Sequence, residues 1–143
     1  MVEVYPACKS REISGEFLEQ LRRGWAVAFE MLREIGVGEI AILEGIEITL
    51  LDDDEMARIH DEFLNDATTT DVITFDHGEL LIGVETAARQ AEGFLSHVDR
   101  EIALYGIHGM LHLSGFDDKS SADAKQMAGR QEEVLRACFP FWD

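Results

Sequence analysis

His108 and His112 are the residues on which chemistry can be built. They stand four apart, so on a helix both imidazoles share one face, about 5–6 Å from each other. That separation lets two imidazoles bind a single metal ion. The chain continues Leu113-Ser114-Gly115-Phe116-Asp117-Asp118. Gly115 falls where a helix-terminating glycine belongs, because glycine tolerates the left-handed conformation that turns the chain back. The turn carries Asp117 and Asp118 toward the histidines. The spacing H-x3-H-x2-G-x2-D thus offers His108, His112 and Asp118 as ligands and leaves a fourth position open, the catalytic rather than the structural form of a zinc site. Asp117, one residue away, competes for the third place. An isolated histidine pair at this spacing is commonly core packing; the glycine stop and the carboxylate beyond it are what favour a ligand pair.

In zinc peptidases of the H-E-x-x-H type, the glutamate after the first histidine is the general base. Gly109 stands there in this chain. A peptidase reading is weakened accordingly, and another group or the metal itself must activate the nucleophile.

The histidines require a helix, and the sequence supplies one from about Val98 to Ser114. Upstream, Val2 to Tyr5 reads as a short strand. Ser14 reads as the N-cap of a helix to Ile35, with Phe17, Leu21, Trp25, Ala28, Phe29 and Leu32 at helical spacing. Ile46 to Leu51 is rich in residues that suit a pleated strand. Asp52 with Glu55 reads as a capping box opening a helix that carries Met56, Ile59, Phe63 and Leu64 on its inner face, broken at Thr68-Thr69-Thr70. Asp71 to Phe75 and Glu79 to Val84 form a hairpin about Asp76-His77-Gly78. A helix from Thr86 to Leu95 follows, and a last one, capped by Ser120 or Ser121, runs to Ala137. Four strands and five helices without regular alternation predict an α+β fold: a small mixed four-stranded sheet with the metal helix central.

Composition bounds the rest. The 143 residues fit one domain, 1–143, and 46% hydrophobic residues suffice for a core. No apolar run approaches the roughly 18 residues of a membrane helix, and the first residues lack the pattern of a signal peptide. The expectation is a soluble, cytoplasmic monomer. Twelve Lys+Arg against 29 Asp+Glu give a net charge of −17, which excludes a broad, non-specific nucleic-acid footprint but not a local cationic site. Cys8 and Cys138 lack a CxxC pattern and read as buried free thiols. The Asp52-Asp53-Asp54-Glu55 run reads as a solvated helix start, His77 as an exposed turn residue, and His60 and His97 as helix-surface residues. Trp25, Phe29, Leu32 and the Phe94-Leu95 pair read as core, and the apolar tail Phe139-Pro140-Phe141-Trp142 as packing back on the domain.

The segment HGMLHLSGFDD resembles the motif H-G-x-L-H-L-x-G-Y-D-H of the YbeY family, the bacterial rRNA-maturation endoribonucleases, at His108, Gly109, Leu111, His112, Leu113, Gly115 and Asp117. The resemblance extends upstream. ITLLDDDEM (48–56) with Leu64-Asn65, TDVITF (70–75) and ELLIGVETA (79–87) are similar to the family's corresponding segments in order and spacing. It implies metal-dependent hydrolysis of single-stranded RNA, with one Zn2+ ion as cofactor. The implied partners are rRNA and the 30S particle, in 16S rRNA 3′-end maturation and ribosome quality control. It also places His108 and His112 at the family's first two zinc-ligand positions, with Asp117 as a catalytic or ligand-orienting carboxylate.

Three departures accompany the likeness. The family's third ligand is histidine where Asp118 stands. Its arginine-bearing loop is shortened to Asp66-Ala67-Thr68-Thr69 with no arginine, so either another cation such as Arg58 or Arg89 reaches the site or substrate handling differs. Its L-G-D segment reads Ile82-Gly83-Val84. Two alternatives stay open: a metallopeptidase-like hydrolase, and a ribosome-assembly module with weakened chemistry.

Overall fold

The computed structural model describes residues 1–66, 70–93 and 96–140. Strands β1 (Val2–Pro6), β2 (Ile46–Leu51), β3 (Val72–Phe75) and β4 (Glu79–Gly83) form one sheet in the order β1-β2-β4-β3. β1, β2 and β4 run parallel, while β3 lies antiparallel to β4 on the edge. Five helices surround them: α1 (Gly15–Ile35), α2 (Asp53–Leu64), α3 (Val84–Gly93), α4 (Val98–Leu113) and α5 (Ser121–Cys138). The expected α+β architecture is the one observed.

Strand side chains alternate between faces, and the two faces have unequal partners. Ile48, Leu50, Leu80 and Ile82 join α1, α4 and α5 in the main core. Leu51, Ile73 and Leu81 pack with Met56 of α2 in a smaller cluster on the other side; Ile59 packs against it, but Phe63 and Leu64, expected on the same inner face, are exposed because the last turn of α2 runs past the cluster. α4 runs through the main core, with Ile102, Ala103, Ile107, Met110 and Leu111 fully buried. A helix apolar on nearly every side must lie inside a domain. Two glycines let its neighbours come close. A Cβ on Gly106 would lie 2.3 Å from Trp25 Cε2, and one on Gly109 would lie 2.5 Å from Leu80 Cδ2. Gly109 therefore faces the sheet, and packing explains why no glutamate stands there.

Local expectations fared unevenly. Ser14 caps α1 by accepting from the Phe17 amide at 3.1 Å, and Ser120 caps α5 by accepting from Asp123 at 3.0 Å. The capping box at Asp52 does not form. Its carboxylate instead accepts from the Lys9 amide at 2.7 Å and from Ser10, tying the segment after β1 to α2. Glu55 turns to Arg58, and the Asp53 amide donates to Glu85 Oε1 at 2.8 Å. That bond joins the starts of α2 and α3, and β4 ends at Gly83 because buried Val84 already opens α3. Cys138 is buried as expected; Cys8 is only half-buried, its thiol donating to the Arg11 carbonyl. His97 is the N-cap of α4, its Nδ1 accepting from the Asp99 amide at 3.3 Å. Phe139 is fully buried, so the start of the tail does pack back. The expected break at Thr68-Thr69, the Phe94-Leu95 pair and Phe141-Trp142 lie outside the described residues.

Candidate metal centre

α4 delivers both histidines at its carboxyl end, and the way it stops delivers the third group. Gly115 adopts φ 93°, its amide donates to the His112 carbonyl at 3.1 Å, and the Phe116 amide donates to the Leu111 carbonyl at 3.0 Å. This is a Schellman closure, which needs the left-handed residue that glycine provides. The chain folds back over its own last turn. As a result the Phe116 carbonyl lies 3.1 Å from His112 Nδ1 and accepts its proton.

The two imidazoles cross nearly at right angles, with ring centroids 4.6 Å apart. Their Nε2 atoms face each other at 3.0 Å, and Asp118 Oδ2 lies 3.8 Å from that of His108. One ligand atom from each of His108, His112 and Asp118 falls within 4.8 Å of the others. His108 Nδ1 is hydrogen-bonded to the amide oxygen of Gln131 on α5. Both Nδ1 atoms thus face oxygens that can only accept, an arrangement in which a neutral ring carries its proton on Nδ1 and its lone pair on Nε2. Two lone pairs converging with a carboxylate alongside repel one another, and a cation between them relieves that. Ligand nitrogens bound to one tetrahedral zinc at about 2.0–2.1 Å lie roughly 3.3 Å apart. The trio fits such an ion.

Asp118, not Asp117, completes the group. The Asp117 carboxylate accepts from the Lys119 amide at 3.2 Å and so braces the turn that holds Asp118. A groove of about 720 Å3 opens on the trio, lined by both histidines, Asp71, Asp117, Asp118 and Lys119. Lys119 is the one cation among the described residues that line it. Of the two alternatives for the missing loop arginine, the first is not met, for neither arginine lines the groove: Arg58 is held by Glu55 and Glu62, and Arg89 by Asp53 at 2.8 Å. His77 is exposed and pairs with Glu79 at 3.2 Å, away from the groove.

Sequence reasoning missed Gln131 and Lys119. The lysine follows the second aspartate directly and could have been read with the motif. Gln131 lies 23 residues beyond its partner on another helix, and no spacing rule links them. Also missed was the buried polar face of α4 that leads to the histidines. Glu101, 9% exposed, and Tyr105, 6% exposed, precede His108 on the same side of the helix. Burial pushes the Glu101 carboxyl above its ordinary range; Glu132 and Asp71 add to this and Arg100 opposes it. Burial likewise raises the Tyr105 phenol, whose oxygen has no partner among the described residues.

Known proteins give this arrangement a context. The family model described as Endoribonuclease YbeY matches residues 9–138. Proteins named Endoribonuclease YbeY from Bacillus thuringiensis (strain Al Hakam) and Bacillus cereus (strain AH187) are each 29% identical over 147 residues, covering 85% of this chain and 94% of theirs. The solution structure of TM1509 from Thermotoga maritima superposes with a TM-score of 0.67 at 22% identity, over 99% of this chain and 91% of that one, which supports the fold. With the family model spanning nearly all the described elements and the histidine-bearing helix inside it, the chain belongs to the YbeY endoribonuclease family.

Proposed function

We propose that this chain is a zinc-dependent endoribonuclease of single-stranded RNA, a single domain over residues 1–143. Its task in this reading is 16S rRNA 3′-end maturation and ribosome quality control, on the 30S particle in the cytoplasm. The observation that carries the reading is the pair of facing Nε2 atoms, 3.0 Å apart, with Asp118 beside them and each Nδ1 already bonded. His108 and His112 would hold the ion through Nε2 and Asp118 through its carboxylate. A zinc ion held there supplies Lewis acidity at the scissile phosphate. Gln131 and the Phe116 carbonyl keep the imidazoles in the tautomer that offers Nε2, as the partners of metal-bound histidines commonly do. Asp117 fixes the turn, and Lys119 brings a positive charge into an otherwise acidic groove. Asp118 in place of the family's histidine lowers the charge of the loaded site by one unit.

The test is metal content and RNA cleavage measured together, on wild type and on His108→Ala and His112→Ala. About one zinc per chain is expected, with metal and cleavage of a single-stranded RNA lost in both variants and a duplex left uncut. Cleavage that persists after the metal is gone would refute the mechanism. Metal-loaded protein that co-sediments with 30S particles and cuts nothing would make the assembly-module reading the correct one.

A further inference from the structure

We infer that single-stranded RNA is held beside the metal group by stacking of its bases on an aromatic ridge, Phe63 and Phe75, rather than by a cationic track, with Lys119 as its one side-chain phosphate contact besides the ion. The inference rests on the RNA reading above and names the subsite which that reading lacks.

Phe63 sits in the last turn of α2, yet its side chain does not join the core: the residue is 59% exposed. Phe75 ends the edge strand β3. Their rings meet edge to face, with centroids 5.4 Å apart and planes at 76°, and His77 stacks on Phe75 at 5.6 Å and 22°. Phe63 and Phe75 line the groove that contains His108 and His112, and they also line a second cavity of about 510 Å3 that contains His77 and Arg58. The ridge is therefore the wall shared by the two hollows, and a strand passing from the metal group to the second cavity must cross it.

Charge decides what the ridge can do. The metal groove carries Asp71, Asp76, Asp117 and Asp118 against Lys119. The second cavity carries Glu62 and Glu79 against Arg58, whose guanidinium is already held by Glu55 and Glu62. In a chain of net charge −17 these surfaces repel a phosphate backbone. A base has no net charge and every base has a π face, so stacking on aromatic rings remains available and is tolerant of sequence. The exposed ring of Phe63 supplies that face at the mouth of the groove where the proposed cleavage takes place.

The salt dependence of binding separates the two modes. Each phosphate neutralised on a single strand contributes about −0.7 to the slope of log K against log salt. Lys119 and the ion together predict a slope no steeper than about −1.4, and a cationic track of four or more further side chains predicts about −3 or steeper. The experiment follows single-stranded RNA carrying 2-aminopurine on the zinc-loaded full chain, by fluorescence quenching and by KM and kcat. Phe63→Ala is expected to weaken binding roughly 10-fold, abolish much of the quenching and raise KM with little change in kcat. Phe63→Trp restores both, and Lys119→Gln flattens the slope. Zinc content and the unfolding midpoint of Phe63→Ala should match wild type, since the ring is mostly in solvent.

A slope near −3 would overturn the inference. So would unchanged binding in Phe63→Ala while wild type cleaves RNA; if that variant instead lost co-sedimentation with 30S particles, the ridge would be a protein-docking surface. A zinc-loaded wild type that neither binds nor cleaves RNA would overturn the RNA reading itself, a distinct result.

Discussion

Replacing Gln131 with leucine tests the centre without touching a ligand. The side chain keeps its approximate volume and loses the one oxygen that accepts from His108 Nδ1. His108 is only 19% exposed at its side chain, so water replaces that partner incompletely. Its ring then has two tautomers and more than one orientation open to it, and the paired Nε2 geometry must be re-made each time an ion binds. Loss of such a partner typically costs 10- to 100-fold in metal affinity, equivalent to about 1.4–2.8 kcal/mol. Gln131→Glu keeps an acceptor in place and adds a negative charge that makes the imidazole a stronger ligand, so its affinity should equal or exceed wild type. Competition against a chromophoric zinc chelator gives the dissociation constants, and thermal melts of the metal-free proteins separate affinity from folding. A leucine variant whose zinc affinity stays within twofold of wild type would refute the claim that Gln131 sets the orientation of His108.

Two further changes test the scaffold. Gly106→Ala gains up to about 1 kcal/mol of helix propensity but places a Cβ 2.3 Å from Trp25 Cε2. Trp25 is fully buried and held by its indole bond to the Ala103 carbonyl at 3.0 Å, so overpacking of about 1–3 kcal/mol wins and the melting temperature falls. Gly129→Ala on α5, where nothing lies within 4 Å of the new methyl, should raise it, and equal shifts in the two variants would contradict the packing argument. Glu101→Gln tests the buried carboxyl. Its folded-state value is raised by burial, with Glu132 and Asp71 adding and Arg100 opposing. Its favourable contribution is therefore complete below the ordinary glutamate range and is lost as pH rises through the raised value. Wild type should lose stability relative to Glu101→Gln across that window; parallel melting curves from pH 4 to 8 would rule this out.

Several local sequence signals could be read in advance. The α1 stripe, the β3–β4 hairpin and the His108–His112 spacing are patterns within a few residues, and each formed. Asp52 shows the opposite case. Its local setting favours a cap on α2, but the Lys9 and Ser10 amides, brought near by the pairing of β1 with β2, compete for the same oxygens and win. Gln131 illustrates a stricter limit, because its meaning depends on how α5 crosses α4. The choice between Asp117 and Asp118 required the turn itself: the Schellman closure and the Asp117–Lys119 bond rotate one carboxylate to the histidines and keep the other in the loop.

The departures from the family motif act in one direction. In the proposed zinc-loaded centre, a carboxylate at position 118 would leave one unit less positive charge than a histidine there. The shortened loop 66–69 carries no arginine, and Arg58 and Arg89 are committed to Glu55, Glu62 and Asp53. What remains to attract a phosphate in the groove is Lys119 and, in the proposed reading, the ion. At an effective dielectric of about 20, two unit charges 4 Å apart interact by about 4 kcal/mol, so losing one partner near the scissile group is a large change for a site this small. An RNA substrate therefore cannot be retained here chiefly by its backbone. Either neutral contacts such as the Phe63–Phe75 ridge hold it, or the larger particle that carries the RNA holds it in place, and the binding of free single-stranded RNA to wild type and to Phe63→Ala tells these apart.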